Sequence, residues 1–474
     1  MSGTPLANHA DFTLQEILAC CGGCQAALLT AAKKDILQQP LRGVSTDTRT
    51  IIHGAIFVAL TGENHDGHQF LQQAASAGAA AAIVEKDIDI NTLPDTLQII
   101  RVQSTLEALG ALAHCHREKF SPEVIGITGS YGKTTTRAMI ATALSASLKV
   151  LSTQENYNNE IGVPQTLLQL DASHQAAVIE MGMRGRGQIE YLAKIVRPGI
   201  GVITNIGPQH IELLGSLENI AAAKAELNRE LPASGTAVLP ADDPMYDFLQ
   251  QQTSAKIIGF GQSAAAQYRV LKSTFDERGK SFCQIETPRH GVLELQLALP
   301  GVHNAINAAA ALATADACGV DLHQAAQALQ NMEAPGARMR LRHNEKAVII
   351  DDCYNAGPFS MRAALDVLRD FPGAKRRAAV LGSMLELGEW SEKEHRATGL
   401  QANEIAQVII GVGEATKVLL EAAQKKGHTG THWFANAAEA ANWLPAHIQE
   451  GDVILIKGSR GIGLEKVVEA LHAY

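Results

Sequence analysis

Residues 124–136 constrain the fold of this chain more than any other segment. Val124 to Ile127 is a short run rich in β-branched side chains, which is typical of a buried strand. A glycine-rich loop follows, and the residues from Thr134 onward have the apolar periodicity of a helix. This order predicts a parallel α/β sheet. Its loop would hold a nucleotide's phosphates on backbone N–H groups and on the positive end of the helix.

The loop supplies the candidate ATP-binding residues and one candidate metal ligand. We expect Lys133 to reach the outer phosphates and Thr134 to hold Mg²⁺. Five residues separate Gly126 from Gly132, where the strict Walker A spacing has four. The alternative is therefore a glycine-rich turn followed by an ordinary lysine. The candidates are Gly129, Ser130, Tyr131, Gly132, Lys133, Thr134 and Thr135.

Bulk composition limits the kinds of protein this chain can be. Its 474 residues favour about three domains, and 46% hydrophobic content is typical of a soluble globular chain. A net charge of -9 argues against a general nucleic-acid or membrane surface. No signal peptide and no apolar run of membrane-spanning length is visible, and the seven cysteines indicate reduced thiols. We therefore expect a cytoplasmic protein that is not inserted into a membrane.

Strand and helix patterns alternate along the chain and divide it into three predicted domains: 1–120, 121–336 and 337–474. A helix is predicted over 14–29 and a more β-like patch over 268–299. Central strands are expected at 124–128, 177–180, 201–204, 237–239 and 256–259. Strand patterns resume at 347–350, 378–381, 407–411 and 453–457.

Several polar residues follow these strands, where ligands of parallel sheets gather. Glu180 ends one apolar run and could hold Mg²⁺, although a solvated strand-end acid looks the same. His210 follows a Gly-Pro turn and lies on a loop. Lys224 is the only charge in a run of alanines, and the alternative is a solvated helix lysine.

Other candidates lie later in the chain or away from the ends of the central strands. Asn304 and Asn307 share one face of a helix start and could read an adenine edge, while helix capping by Asn304 is the alternative. Arg338 and Arg340 flank a hinge-like segment at 334–337. Cys21 and Cys24 have redox or metal spacing, but the chain has no second pair of that kind.

Together these motifs resemble the Mur ligase family along nearly the whole chain. Residues 43–49 and 62–68 are similar to its UDP-sugar-binding signatures, and 128–135 to its ATP loop. Residues 155–164 resemble the segment that meets the muramoyl peptide. Residues 351–356 and 456–460 are similar to C-terminal signatures. Gly357 and Ser383 depart from the family pattern, so the resemblance does not identify the residues that bind the dipeptide.

The resemblance implies a three-domain α/β architecture. A central P-loop parallel-sheet domain would be flanked by an N-terminal UDP-binding α/β domain and a C-terminal Rossmann-like α/β domain. The implied activity joins D-alanyl-D-alanine to UDP-N-acetylmuramoyl-tripeptide through an acyl phosphate, using ATP and two Mg²⁺ ions. Whether the tripeptide ends in meso-diaminopimelate or L-lysine stays open. We expect a monomer, although the sequence does not fix the oligomeric state.

The resemblance also implies roles for individual residues. Lys224 matches a lysine that CO₂ carbamylates near the second Mg²⁺, Asn304 an adenine contact, and Arg338 a nucleotide contact. The implied catalytic residues are Lys133, Lys224, His210 and Asp352. The implied metal ligands are Thr134, Glu180, His210 and carbamylated Lys224. The implied substrate-binding residues are Ser45, Thr46, Asp47, Thr48, Arg49, Asn156, Asn158, Asn159, Tyr354 and Asn355.

Three alternatives remain. Another ligase of the same superfamily, of the MurE or folylpolyglutamate synthase type, would share the fold, but the last third has no Asp-Asn-Pro-Arg motif. A regulatory ATPase would hydrolyse ATP without either substrate. A binding scaffold would tolerate the loss of Lys133.

Overall fold

The computed structural model describes residues 8–30, 34–62, 65–333 and 336–472. Residues 63–64 of the predicted UDP-sugar signature and residues 334–335 of the predicted hinge lie outside this part. The chain divides into two compact units. The first comprises Met1–Gly126, Leu148–Met183 and Gly187–Gly199. The second comprises Ile127–Ser147, Arg184–Arg186 and Ile200–Tyr474.

The N-terminal part of the first unit is a small α/β layer. Its elements are β1 Asp11–Phe12, α1 Leu14–Cys20, β2 Ala27–Leu28, α2 Lys34–Leu37, β3 Leu41–Arg42, β4 Val44–Ser45, β5 Ile56–Val58, α3 Leu71–Ser76, β6 Ala81–Val84, β7 Gln98–Arg101 and α4 Thr105–Arg117. Strands β4 to β7 are parallel neighbours, and β2 pairs antiparallel with β7 at the edge. Apolar side chains of β5, β6 and β7 form a buried core with α3.

The predicted helix over 14–29 is wrong beyond Cys20. Two glycines follow Cys21, and glycine destabilises a helix interior because it loses the most backbone freedom on folding. Gln25 then adopts a left-handed conformation with φ of 53°. The chain reverses there, and Ala27–Leu28 joins the sheet as β2.

The middle part of the chain contains the phosphate loop and the strands around it. Its elements are β8 Glu123–Thr128, α5 Lys133–Leu144, β9 Val150–Ser152, α6 Gly162–Leu167, β10 Ala176–Glu180, α7 Gln188–Val196, β11 Ile200–Ile203, α8 Ile211–Leu214, α9 Leu217–Lys224, α10 Glu226–Arg229, β12 Thr236–Pro240, α11 Tyr246–Gln250, β13 Lys256–Gly261, β14 Tyr268–Phe275, β15 Ser281–Thr287, β16 Gly291–Leu297, α12 Val302–Ala317 and α13 Leu322–Gln330. The five predicted central strands are confirmed.

In the second unit, β11 to β14 are parallel neighbours, and β15 and β16 extend the sheet antiparallel. The predicted β-like patch over 268–299 is this extension. Helix α12 packs against α5, and its alanines are small enough for the two backbones to approach closely. In the first unit, β9 and β10 are parallel neighbours.

The C-terminal part of the second unit is a separate six-stranded sheet. Its elements are β17 Arg340–His343, β18 Ala347–Asp352, α14 Pro358–Asp370, β19 Arg376–Gly382, α15 Ser391–Ile405, β20 Val408–Val412, α16 Thr416–Lys425, β21 Thr431–Phe434, α17 Ala437–Trp443, β22 Asp452–Lys457 and α18 Glu465–His472. The strand order is β17-β18-β22-β19-β20-β21, and only β17 runs antiparallel. Asp352 and Lys457 therefore meet at the carboxyl ends of adjacent parallel strands.

Cysteine pairing differs from the expectation that all seven thiols are reduced. Cys20 and Cys115 form a disulfide between α1 and α4. The expectation is wrong for this pair because 95 residues separate the two cysteines, and only the packing of the two helices brings them together. Cys21 and Cys24 are buried free thiols. In the described part of the chain, no helix combines the length and apolarity that a membrane crossing requires.

Candidate active site around the phosphate loop

The loop between β8 and α5 has a backbone conformation that requires glycine. Gly129 has φ of +145° and Gly132 has φ of +76°. A Cβ on Gly129 would lie 1.9 Å from the Thr204 Oγ1 atom, so the loop passes directly over the end of β11. The Ser130 hydroxyl donates to the carbonyl of Gly207 and accepts from its N–H, both at 2.9 Å. The loop is therefore fixed to residues 204–207.

Asn205, which follows β11 at the same edge of the sheet, holds the loop at Tyr131. Its Oδ1 atom accepts the Tyr131 N–H at 2.9 Å, and its Nδ2 donates to the Tyr131 carbonyl at 3.0 Å. The Thr204 hydroxyl donates to the same carbonyl at 2.6 Å. The backbone amide of Tyr131 therefore points to Asn205.

Lys133 begins helix α5, so its ammonium group and the helix N-terminus are both at the loop. Its Nζ donates to the carbonyls of Gly129 at 2.8 Å and Ser130 at 3.2 Å. Thr134 and Thr135 follow in the first turn of the helix. This arrangement presents a cation, a helix dipole and a glycine-shaped backbone in one place, which suits a phosphate chain.

Lys224 is buried at the end of α9, with 2% of its surface exposed. Its Nζ donates to the Gly129 carbonyl at 2.9 Å. Burial lowers the pKa of Lys224 well below the usual lysine value, and the charge of Lys133 lowers it further. The alternative of a solvated helix lysine is therefore wrong, because the Lys224 amine is buried against the phosphate loop.

His210 precedes helix α8 in a left-handed conformation with φ of 58°. Its Nδ1 atom lies 2.8 Å from Glu386 Oε2. Burial lowers the pKa of His210, with Glu386 opposing the effect and Lys133 and Lys224 adding to it. Glu386 was not predicted from the sequence. The only signal for it is a carboxylate in the loop after β19.

A buried ion pair lies at the end of the C-terminal sheet. The Lys457 Nζ atom donates to Asp352 Oδ2 at 2.6 Å and to the Asn355 carbonyl at 2.9 Å. The side chains of Lys457 and Asp352 are 2% and 10% exposed. Burial raises the pKa of Asp352, while the charge of Lys457 opposes that shift. Lys457, which was not predicted, therefore joins Asp352 to the 353–357 loop.

Tyr354 lies between two guanidinium groups. Arg338 stacks on its ring with Cζ 3.8 Å from the centroid, and Arg460 lies 5.1 Å from the same centroid. A cavity of about 180 Å³ opens next to this cluster. Tyr131, His210, Asn355, Glu386 and Arg460 are among its lining residues.

The helix-capping alternative for Asn304 is wrong: the N-cap residue of α12 is Gly301, without a side-chain cap, and Asn304 lies inside the first turn. Its side chain is buried, and Nδ2 donates to the Pro300 carbonyl at 2.8 Å. Asn307 Nδ2 donates to Asn304 Oδ1 at 3.3 Å. A Cβ on Gly132 would lie 3.3 Å from Asn307 Oδ1, which places Asn307 at the phosphate loop.

Other predicted site residues lie in the first unit, whereas Thr134, His210 and Lys224 belong to the second. Glu180 ends β10, is 2% exposed and accepts from Asn158 Nδ2 at 2.8 Å. The Asn159 side chain accepts the backbone N–H of Gly162 at 2.9 Å. The carbonyl of Asn156 accepts the N–H of Asn158 at 2.8 Å. These asparagines thus build a compact turn beside Glu180.

The predicted UDP-sugar segment starts at the end of β4. Ser45 bonds through its hydroxyl to the carbonyl of Asp47 at 2.8 Å. Asp47 pairs with the exposed Arg49, and the hydrogen bonds from Arg49 lower the pKa of Asp47. The Thr46 hydroxyl accepts from Gln165 Nε2 at 2.8 Å. Thr48 begins the short 3-10 turn that Asp47 caps. Among the described residues, no three His, Cys, Asp or Glu side chains converge as a metal site.

Three family models match consecutive parts of the chain. "Mur ligase family, catalytic domain" matches residues 40–117, "Mur ligase middle domain" 127–315, and "Mur ligase, glutamate ligase domain" 337–460. The chain belongs to the Mur ligase family. The α/β fold expected from the sequence is confirmed.

Named relatives are closely similar along their full length. A UDP-N-acetylmuramoyl-tripeptide–D-alanyl-D-alanine ligase from Synechocystis is 38% identical over 436 residues, with 91% of this chain and 92% of the relative covered. A MurF crystal structure from Acinetobacter baumannii matches with 32% identity and a TM-score of 0.89, covering 99% of this chain and 100% of that one. A MurF ligase from Thermotoga maritima in complex with ADP matches with 27% identity and a TM-score of 0.81, covering 91% and 97%.

Proposed function

We propose that this chain uses ATP to join D-alanyl-D-alanine to UDP-N-acetylmuramoyl-tripeptide in peptidoglycan precursor synthesis. The observation that carries the proposal is the buried Lys224, whose Nζ donates to the Gly129 carbonyl of the phosphate loop. Phosphate binding alone does not require a second, buried lysine against the loop. The named relatives support the choice of substrates, because they match this chain over nearly its full length.

The phosphate loop fits ATP in shape and charge. A Cβ on Gly129 would collide with Thr204, so the backbone there has the close approach that phosphate loops use. In this proposal, Lys133 and the loop amides bind the phosphates, while Asn304 and Arg338 contact the rest of the nucleotide. The ADP bound to the Thermotoga relative supports the proposal that this chain binds an adenine nucleotide. Mg²⁺ would neutralise phosphate charge, and its proposed ligands in the second unit are Thr134, His210 and carbamylated Lys224. Glu180 of the first unit is proposed separately as a metal ligand.

The environment of Lys224 supports the proposal that this lysine is carbamylated. A neutral amine can attack the carbon of CO₂, forming an N–C bond and releasing one proton. Burial favours the neutral form of the Lys224 amine by lowering its pKa. The product is a carboxylate-like group, which is the oxygen ligand that Mg²⁺ prefers. An unmodified ammonium at this position would instead repel the cation.

The proposed reaction has two chemical steps. The terminal carboxylate of the tripeptide attacks the γ-phosphorus of ATP, giving an acyl phosphate and ADP. The free amine of D-alanyl-D-alanine then attacks the acyl carbon, an amide forms, and phosphate leaves with the proton of the amine released. Lys133 stabilises the charge that develops on the transferred phosphoryl group. The Asp352–Lys457 pair positions the loop that carries Asn355, one of the residues that line the cavity.

The remaining assignments complete the proposal. Residues 45–49 would bind the UDP-sugar, and Asn156, Asn158 and Asn159 the muramoyl peptide. Tyr354 and Asn355 would meet the dipeptide. The proposed domains are 1–120 for the UDP-sugar, 121–336 for ATP and 337–474 for ligation. We propose a cytoplasmic monomer.

An omission assay tests this function. Purified protein is mixed with MgATP, UDP-N-acetylmuramoyl-tripeptide and D-alanyl-D-alanine, and the product and phosphate are followed by mass spectrometry and a colorimetric assay. We expect amide and phosphate only when all three substrates are present. Equal phosphate release without either the UDP-linked peptide or the dipeptide would favour a regulatory ATPase. Parallel reactions with tripeptides ending in meso-diaminopimelate or L-lysine identify the preferred peptide.

A further inference from the structure

The Tyr131 side chain packs against two glycines of the second unit, Gly207 and Gly357. A Cβ on Gly207 would lie 2.6 Å from the Tyr131 Cε2 atom, and a Cβ on Gly357 would lie 2.7 Å from Cε1. The ring also stacks on Phe359, with centroids 5.8 Å apart and planes at 14°. Any side chain at Gly207 or Gly357 would therefore displace the ring.

Both ends of this contact are attached to rigid elements. The backbone of Tyr131 is fixed to Thr204 and Asn205 by three hydrogen bonds at the end of β11. On the other side, the Lys457 ammonium holds the carbonyl of Asn355. The Tyr131 ring therefore connects the phosphate loop with the start of α14 by direct contact, and hydrogen bonds hold the residues on both sides in place.

The ring and not the hydroxyl makes this contact. The Tyr131 hydroxyl is buried and makes no hydrogen bond of ordinary geometry with the described residues. Burial raises the pKa of Tyr131, so the hydroxyl stays neutral. Tyr131 also lines the same cavity as His210 and Asn355.

We propose that Tyr131 is a positioning residue that couples the phosphate loop to the 355–359 segment and keeps water out of the cavity during ligation. The inference rests on the proposed function. Without the ring, water competes with the amine for the acyl phosphate. The water oxygen bonds to the acyl carbon, the bond from that carbon to the phosphate oxygen breaks, and orthophosphate leaves. The tripeptide carboxylate is regenerated and ATP is consumed without an amide.

The test is the ratio of phosphate released to amide formed, measured for the full chain with all three substrates. We expect a ratio of about one for the wild type and for Tyr131→Phe, and about two or more for Tyr131→Ala. The KM for D-alanyl-D-alanine should rise roughly three- to tenfold in Tyr131→Ala, as the loss of an aromatic contact implies. A simple loss of stability would lower the rate and leave the ratio at one.

Two further variants keep the test decisive if Tyr131→Ala folds poorly. Phe359 is 45% exposed, so Phe359→Ala should fold and still raise the ratio. Phe282, which is 42% exposed on β15, provides the matched control, and Phe282→Ala should leave the ratio at one. Gly357 has an extended backbone with φ of -153° that alanine can adopt, so Gly357→Ala acts through the ring alone.

The double variant Tyr131→Ala/Gly357→Ala tests whether the two changes act on the same contact. Gly357→Ala should raise the ratio when Tyr131 is present and have no added effect in Tyr131→Ala, because the two changes act on one contact. A ratio of one in Tyr131→Ala, Phe359→Ala and Gly357→Ala would overturn the inference while the proposed function stands. Failure of the wild type to form any amide would instead overturn the proposed function.

Discussion

Removing the charge of Asp352 should destabilise the C-terminal sheet by a predictable amount. Its carboxylate lies 2.6 Å from the Lys457 Nζ, and the two side chains are 10% and 2% exposed. Breaking a buried ion pair by removing one partner costs about 3–5 kcal/mol, because the other charge stays buried. Lys457 would keep the Asn355 carbonyl at 2.9 Å, so we expect the lower end, about 3 kcal/mol, for Asp352→Asn.

Hydrogen exchange measured by mass spectrometry can locate this loss within the full chain. Peptides that span β18 and β22 report the opening free energy of those strands. A loss of about 3 kcal/mol corresponds to roughly 150-fold faster exchange. The double variant Asp352→Asn/Lys457→Met removes both charges and should recover most of the protection, since an apolar side chain fits the buried position.

An exposed ion pair in the same sheet region serves as the control. Lys375 and Glu450 lie 3.2 Å apart with side chains 68% and 81% exposed. Lys375→Met should change exchange by less than about fivefold, because exposed pairs contribute at most about 1 kcal/mol. The reasoning fails if Asp352→Asn changes exchange no more than Lys375→Met does, or if the double variant is no better protected than the single one.

Three other predictions concern the phosphate loop and its surroundings. Lys224→Ala should abolish ligation, and small carboxylic acids should partly restore it by replacing the carbamate; full activity without rescue would exclude a carbamate role. Gly129→Ala should abolish ATP binding measured by calorimetry, because its Cβ would lie 1.9 Å from Thr204 Oγ1, whereas Gly185→Ala meets nothing within 4 Å and should bind normally. Burial and the charge of Lys457 lower the pKa of His303 to about 4. The unfolded chain therefore binds a proton that the folded chain does not as the pH falls from 6.5 towards 4. The contribution of His303 to the free energy of unfolding should fall by about 2–3 kcal/mol between pH 8 and pH 4.5. In His303→Gln, chemical denaturation should give a smaller loss over that interval, and an equal loss would contradict the assignment.

The phosphate loop could be predicted from the sequence because all its parts are contiguous. A β-branched run, four loop residues and a helix start define the geometry of Gly129 to Lys133 locally. The five central strands were predictable for the same reason, since short apolar runs between polar loops are typical of parallel sheets. Local patterns also predicted that His210 lies on a loop.

Residues that depend on long-range contacts could not be predicted in this way. Lys224 follows a run of alanines and has no local signal of burial; it is buried beneath a loop 95 positions earlier in the chain. Lys457 and Asp352 are 105 positions apart and meet only because β18 and β22 are adjacent. Glu386 reaches His210 through the tertiary fold. The error over residues 14–29 has a different cause. The apolar pattern typical of a helix continues along the sequence beyond Cys20, but the helix itself ends before Gly22 and Gly23.

The central claim is that the phosphate loop transfers a phosphoryl group to a carboxylate and not to water. The most direct test uses UDP-N-acetylmuramoyl-tripeptide labelled with ¹⁸O in both oxygens of its terminal carboxylate, in ordinary water with MgATP and D-alanyl-D-alanine. An acyl phosphate leaves one carboxylate oxygen on the phosphate when the amine attacks. We predict one ¹⁸O atom in each phosphate released, measured by mass spectrometry. Unlabelled phosphate, formed at the same rate as the amide, would contradict the account.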